Sequence, residues 1–167
     1  MIAKSHTIIG LASWIVVAPL LHLQPLNPTC LALAFAGSLL PDIDHPSSWV
    51  GRRSRPVSTI VSSVFGHRGI THSAFAVVAL VALLMHTGYT RAITSALAVG
   101  YLSHLAAGML TPRGLRLVWP LRKTWALPVC NTGSPAEAMV VMGIAVFAGI
   151  CLLRGYPLQV HLPHFIH

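Results

Sequence analysis

Residues 91–110 read RAITSALAVGYLSHLAAGML, and this stretch decides the fold. The run contains 20 residues, with Arg91 at its first position as the sole permanently charged side chain. An α-helix needs about 20 predominantly apolar residues to cross the hydrocarbon core of a bilayer. We therefore expect a membrane-spanning helix here and an integral membrane protein around it.

The composition of the whole chain agrees with this interpretation. Of 167 residues, 54% are hydrophobic and 8% are charged, whereas an ordinary soluble domain has about 25% charged residues. A surface so poor in charge does not keep a globular protein apart from its neighbours in water. These values exclude an ordinary soluble enzyme and a disordered chain, which would be polar and charged. The three cysteines form no recognisable disulfide or zinc pattern.

Four further apolar runs surround the central one. They are Thr7 to Leu23, Pro28 to Leu40, about Thr71 to His86, and Ala136 to Leu153. We predict an all-α fold, a polytopic membrane helical bundle of about five spans forming one integral-membrane domain over residues 1–167. Residues 154–167 would form a C-terminal tail. A signal peptide is the alternative for the first run, but no small-residue cleavage site follows it cleanly.

A short amphipathic helix is predicted between the second and third runs. Apolar residues recur at helical spacing from Val57 to Phe65, and serine and threonine lie between them. With the basic stretch Arg52–Arg55 before it, this segment fits a helix lying on the membrane surface. Packing of the same face against the protein explains the pattern equally well.

The basic residues indicate the orientation in the membrane. When the five runs are threaded alternately, nine of the eleven lysines and arginines fall on the side of the N-terminus. That side includes a basic loop at residues 111–133, and Arg91 and Arg154 lie on the other side. Because cytoplasmic loops are enriched in lysine and arginine, the N-terminal side should be cytoplasmic. The basic residues lie beside spans and the aromatic residues form no stacking platform, which disfavours nucleic-acid binding.

Histidines and carboxylates gather at the cytoplasmic ends of four predicted spans. The candidate metal ligands are His6, Asp42, Asp44, His45, His67, His72 and His104. Ionisable groups near a bilayer are costly unless they are paired or functional. Imidazole with carboxylate suits zinc first, with manganese or iron as alternatives, and seven candidates are enough for one or two divalent ions. A buried hydrogen-bond network without metal is the alternative, and Glu137 reads as a helix cap.

Three blocks of sequence resemble the signature of a known family: LPDIDH (40–45), GHRGITHS (66–73) and GYLSHLAAGMLTPRG (100–114). They are similar to the blocks of the bacterial inner-membrane metal-dependent hydrolase family, which includes a LexA-regulated, DNA-damage-inducible membrane protein. The resemblance covers roughly residues 1–130 and includes His6 as the N-terminal histidine of the family. It implies a multi-pass protein of the bacterial inner membrane with a divalent-metal hydrolase centre, and it supplies no substrate.

One position departs from that family pattern. The family typically has His-x-x-x-Asp before its Leu-Thr-Pro-x-Gly stretch, and here Gly108 stands at the aspartate position, four residues after His104. Residues four apart lie above one another on a helix face, so a ligand or general base is missing. A naturally degenerate member, a water molecule at the vacated position, or a deliberate substitution would each explain the glycine. Impaired metal affinity and low turnover are expected in each case.

The functional hypothesis is hydrolysis by metal-activated water at a cytoplasm-facing site. Arg68 and Asp44 are the candidate catalytic residues, with Arg68 placed to hold an anionic oxygen. The second run is short, so its aspartates would lie below the interface. A pocket at that depth favours membrane lipid as partner and a lipid or other amphiphile phosphoester as substrate. A catalytically inactive structural or partner subunit is the alternative; a transporter fits less well, since the polar residues gather at one end.

Overall fold

The computed structural model describes residues 1–46, 48–65, 70–119, 121 and 123–154. Within these ranges the chain forms seven α-helices and no β-strand, apart from one isolated bridge between Leu115 and Trp125. The helices are α1 Ala3–Val17, α2 Pro28–Leu39, α3 Trp49–Arg53, α4 Arg55–Phe65, α5 Ala74–His86, α6 Arg91–Met109 and α7 Pro135–Leu153. Short 3-10 helices form at Pro19–Leu21, Leu40–Asp44 and Ile70–His72. The all-α prediction is confirmed.

Among the described residues, three segments are long and apolar enough to cross a membrane: Ala3–Leu21, Arg91–Met109 and Pro135–Leu153. The other two predicted spans form shorter helices, α2 with 12 residues and α5 with 13. At a rise of about 1.5 Å per residue they are about 18–20 Å long. The bundle therefore has three helices of membrane-crossing length, and the count of five spans stays a prediction.

Local sequence signals set the ends of several helices. The side chain of Asn27 accepts a hydrogen bond from the backbone N–H of Cys30 at the start of α2, followed by Pro28 at the first helical position. At the start of α7 the Ser134 hydroxyl accepts from the N–H of Glu137. In both caps a side-chain oxygen satisfies an N–H that has no partner inside the helix.

Close packing of α2 on α6 forms the centre of the bundle. A Cβ atom at Gly37 would collide with the carbonyl oxygen of Leu97, and one at Gly100 would collide with that of Ala34. Small residues allow helix backbones to approach in this way in membrane proteins. The two helices run in the same direction, since the start of α2 contacts the start of α6 and Ser38 near its end contacts His104.

The helix α1 packs against the same pair in the opposite direction. Gly10 lies against Ser38 near the end of α2, and Trp14 shares a buried cluster with Cys30 near its beginning. The N-terminal end of α1 and the C-terminal ends of α2 and α6 therefore meet at one end of the bundle. This is the arrangement that alternate threading of the first, second and fourth runs predicts.

The carboxylate of Glu137 connects α7 to the start of α1. It accepts hydrogen bonds from the N–H groups of Ile2, at 2.8 Å, and Gly133, at 2.6 Å, and Glu137 is only 2% exposed. Both N–H groups lie at helix N-termini, where a negative charge is favourable. Glu137 therefore has the capping role that the sequence predicts for it.

The helix α4 contains the predicted amphipathic segment. It packs against the Leu40–Asp44 turn, and Ser58 on it is fully buried, while Ile60 is 63% exposed. The helix thus packs on protein through one side, and contact of its exposed side with a membrane stays a prediction. The predicted C-terminal tail lies outside the described residues beyond Arg154.

Candidate metal centre

Three side chains from distant parts of the chain converge where the ends of α2 and α6 meet. Asp42 comes from the 3-10 helix after α2, His72 from the 3-10 helix before α5, and His104 from α6. One ligand atom from each lies within 4.8 Å of the other two. Asp42 Oδ1 is 3.8 Å from His72 Nε2 and 3.6 Å from His104 Nε2. The arrangement is that of three donors around one small space.

The backbone of the Leu40–Asp44 segment decides which aspartate enters this space. An extended segment would direct Asp42 and Asp44 to the same side, because side chains two residues apart share a face of a strand. The chain instead tightens into a 3-10 helix with about three residues per turn. The two aspartates consequently point in different directions: Asp42 is half-buried in the centre, and Asp44 is fully buried behind it.

A backbone carbonyl orients His104. Its Nδ1 lies 2.7 Å from the carbonyl oxygen of Ser38, which can only accept, so Nδ1 carries the proton and donates. The other ring nitrogen, Nε2, therefore has its lone pair available on the side of Asp42. Metal-binding histidines usually have such a partner on the second nitrogen, since it fixes both the tautomer and the ring orientation.

Side chains orient His72, and they also leave its Nε2 directed toward Asp42. Its Nδ1 is 3.3 Å from Asp44 Oδ2, and the hydroxyl of Thr71 donates to the same carboxylate oxygen. The hydroxyl of Tyr101 in turn donates to the Thr71 carbonyl at 2.5 Å. The carboxylate behind the ring leaves His72 Nε2 facing Asp42, as in the carboxylate–histidine pairs of metal sites.

His6 lies directly against this group. Its ring stacks on that of His104, with centroids 3.8 Å apart and planes 16° from parallel. The residue is 4% exposed, and its Nδ1 has no hydrogen-bond partner among the residues that the structure describes. Because a buried polar atom without a partner is costly, this nitrogen fits a position beside a bound ion or water molecule.

Burial and nearby charges shift the pKa values of Asp42 and His72 in opposite directions, and both residues lie outside the long helices. Burial alone would raise the pKa of the Asp42 carboxyl, but the hydrogen bond from His72 and the charges of His104 and His6 bring that pKa well below its usual range. Burial would lower the pKa of His72, but its bonds to Asp42 and Asp44 raise it overall. Without metal, the centre therefore favours an ionised Asp42 beside a histidine that holds a proton readily.

The other predicted site residues are Asp44, His45, His67 and Arg68. Asp44 contacts the rear of His72 and is not one of the three converging donors. His45 follows the Leu40–Asp44 helix, half-buried, and also does not join them. His67 and Arg68 lie outside the described residues.

The space beside Gly108 is filled. A Cβ atom there would lie 2.9 Å from Cδ1 and 3.2 Å from Cγ of Leu115. Leu115 is 2% exposed and belongs to a buried cluster with Tyr101 and Leu105. The apolar side chain of Leu115 therefore lies at the place where a water molecule was one of the possible replacements for the missing aspartate.

Comparison with known proteins identifies the family. Residues 1–160 match the sequence pattern of the YdjM inner membrane protein family. The chain belongs to this family. The predicted resemblance to a bacterial inner-membrane family is thereby confirmed.

This chain has relatives in several bacteria. Inner membrane protein YdjM of Escherichia coli (strain K12) is 41% identical over 117 residues, covering 66% of this chain and 60% of its own length; the Shigella flexneri protein gives the same values. Protein YvsG of Bacillus subtilis (strain 168) is 33% identical over 148 residues, 87% of this chain and 91% of its own length. The chain thus matches about 60% of the E. coli protein. No solved structure matches it.

Proposed function

We propose that this YdjM-family protein is a membrane-embedded, divalent-metal-dependent hydrolase with its centre facing the cytoplasm. The observation that carries the proposal is the convergence of Asp42, His72 and His104, with the Nε2 atoms of both histidines turned toward the carboxylate. Two imidazoles and one carboxylate are a donor set typical of zinc enzymes, and manganese or iron would also suit it.

Each residue near the centre has a distinct part in this proposal. Asp42, His72 and His104 would hold the ion, and the unpartnered Nδ1 of His6 supports a fourth donor. When bound, the ion would polarise an ester and activate water for attack. Asp44 would act as a positioning residue, because it accepts the Nδ1 proton of His72 and so keeps Nε2 free for the ion.

The substrate class follows from the setting of the centre. The donors lie at one end of an apolar bundle, beside the short helix α2, so a substrate would approach from the membrane interface. Lysine and arginine predominate on this side of the predicted topology, which favours an anionic headgroup. We propose a lipid or other amphiphile phosphoester, with Arg68 as a clamp for its anionic oxygens.

A second candidate function has an observation of its own. Leu115 fills the space beside Gly108, where the family resemblance places an aspartate. A chain that has replaced a ligand by packed apolar surface fits a structural or partner subunit without turnover. The two candidates differ in whether the chain hydrolyses an ester.

Metal analysis of the full chain purified without a histidine tag tests the centre. We expect one or two ions of zinc, manganese or iron per chain, and loss of bound metal in Asp42→Asn and His104→Gln. His86→Gln is the matched control, because His86 is exposed at the far end of α5. Metal-free wild-type protein, or equal metal loss in the control, would refute the metal centre.

Hydrolysis assays test the reaction class. The wild-type chain and Gly108→Asp are incubated with lipid phosphoesters and with water-soluble esters, each with the metal that the analysis identifies. We expect low but metal-dependent activity on the lipids that disappears in Asp42→Asn. Activity on soluble esters alone would overturn the lipid proposal. A chain that keeps its metal but hydrolyses neither class of ester would favour the inactive subunit.

A further inference from the structure

A groove lies beside the candidate centre, between the first turns of α1, the end of α2 and α3. Its volume is about 230 Å³. The residues that line it are Ala3, Lys4, Thr7, Phe35, Leu39 and Trp49. Pockets that enclose drug-sized ligands measure about 300–1,000 Å³. The groove is therefore large enough for part of an amphiphile rather than for a whole one.

The walls of the groove are apolar, and its rim is positively charged. Phe35 is 41% exposed and Trp49 45% exposed, so both present apolar surface to the groove. Lys4 lines the groove and is exposed, and the guanidinium of Arg53 lies 3.9 Å from the ring centroid of Trp49, another lining residue. The groove thus combines a surface for an acyl chain with two cations.

No carboxylate neutralises these cations within the described part of the chain. The whole sequence contains three acidic side chains. Two of them, Asp42 and Asp44, lie against His72, and Glu137 binds the N–H groups of Ile2 and Gly133. The charge on the rim is therefore open to an anion from outside the chain.

The groove adjoins the two segments that supply the centre. Thr7 follows His6 directly on α1, and Leu39 lies three residues before Asp42. Tryptophan and lysine of this kind are typical of the level where lipid headgroups meet the hydrocarbon core. A lipid held there would have its phosphate near the entrance to the centre.

We propose that this groove binds one anionic glycerophospholipid, with its phosphate at Lys4 and Arg53 and an acyl chain against Phe35 and Leu39. As a substrate site, the groove rests on the hydrolase function proposed above. As a lipid-binding site, the groove is supported independently by its apolar lining and its two cations. Each cation near an anionic headgroup strengthens binding about fivefold, and two together about thirtyfold.

Native mass spectrometry of the detergent-solubilised full chain tests the binding. The probes are phosphatidylglycerol, phosphatidylcholine with the same acyl chains, and sn-glycerol 3-phosphate. We expect one phosphatidylglycerol per chain in preference to phosphatidylcholine, and no retention of glycerol phosphate. Equal binding of both lipids, or glycerol phosphate bound as tightly as phosphatidylglycerol, would overturn the proposal.

Substitutions locate the site. Lys4→Gln and Arg53→Gln should each weaken phosphatidylglycerol binding about fivefold and together about thirtyfold. Arg91→Gln is the matched control, since Arg91 is an exposed arginine at the start of α6, away from the groove. Thr7→Phe, which fills the groove without changing charge, should also reduce binding. An equal loss in Arg91→Gln would contradict the assignment.

A metal-free variant separates this proposal from the hydrolase. Asp42→Asn should keep the preference for phosphatidylglycerol over phosphatidylcholine, although it has lost metal and hydrolysis. If hydrolysis is absent from the wild type while selective binding persists, the hydrolase fails and the lipid site stands. If lipid hydrolysis is unchanged in the Lys4→Gln/Arg53→Gln variant, the groove is not the substrate site.

Discussion

The two histidines of the centre are held by different means. His104 lies on α6 and is oriented by the Ser38 carbonyl, a backbone group whose place depends on the packing of α2 against α6. His72 lies on a three-residue turn and is oriented by the side chains of Asp44 and Thr71. A substitution that disrupts the packing of α2 on α6 should therefore disturb both the fold and the orientation of His104. Damage to the side chains behind His72 should disturb the centre alone.

The largest expected effect comes from Gly100→Leu on the His104 side. The new Cβ atom would collide with the Ala34 carbonyl, and a backbone carbonyl cannot rotate away. Overpacking typically costs about 1–3 kcal/mol, and we expect a cost at or above the upper end of that range. Thermal unfolding in detergent and metal content should both fall sharply. Gly143→Leu is the matched control, because a Cβ atom at Gly143 meets nothing within 4 Å; equal losses would contradict the packing argument.

Asp44→Asn acts on the His72 side and should be next in size. It replaces the carboxylate behind His72 by an amide of the same shape. Loss of such an orienting partner typically lowers metal affinity about 10–100-fold. We expect that loss in a metal titration, with a folded protein. Asn27→Ala is the control, because Asn27 caps the end of α2 that is far from the centre; it should lower stability and leave metal affinity unchanged.

The third prediction concerns the space beside Gly108, which the side chain of Leu115 fills. Gly108→Asp alone should be destabilising, since Leu115 occupies the place of the new side chain. Leu115→Ala alone should also destabilise, because it leaves a cavity in the buried cluster with Tyr101 and Leu105. Because the second change makes room for the first, the double variant should lose less than the sum, by about 0.5–3 kcal/mol. Additive losses in unfolding experiments would mean that the two positions are independent.

Tyr101→Phe should have the smallest effect. It removes the hydroxyl that donates to the Thr71 carbonyl and leaves the Asp44–His72 contact in place. A single hydrogen bond contributes about 0.5–1.5 kcal/mol to stability. Metal affinity should fall less than in Asp44→Asn. Tyr89→Phe is the control, because Tyr89 is 54% exposed after α5; a larger loss in Tyr101→Phe than in Asp44→Asn would contradict this order.

Much of the fold could be predicted from the sequence because apolar runs and caps are local signals. The run at residues 91–110 becomes α6, and Asn27 and Ser134 cap the helices that they precede. Alternate threading also places Asp42 at the same end of the bundle as His104. Length is the weaker signal: the helices α2 and α5 have only 12 and 13 residues, so their apolar runs do not fix the number of membrane crossings.

The finer arrangement of the site could not be predicted. The orientation of His104 depends on the backbone carbonyl of Ser38. Since every residue type has this carbonyl, the sequence does not reveal the contact. The separation of Asp42 from Asp44 depends on a 3-10 turn, which the prolines around this segment do not distinguish from an extended chain. The filling of the Gly108 space by Leu115 depends on how the loop after α6 folds back, which is a tertiary contact.

The bond between Glu137 and the Ile2 amide has a consequence for the order of biosynthesis. The two residues are 135 positions apart. At about 5–20 residues per second, the ribosome completes Glu137 about 7–27 s after Ile2. During that interval the N-terminal end of the first helix, with His6 one turn further along, has no carboxylate to anchor it. The helix α7 therefore completes the packing around the N-terminal end of α1, close to His6, only after helices α1 to α6 have been made.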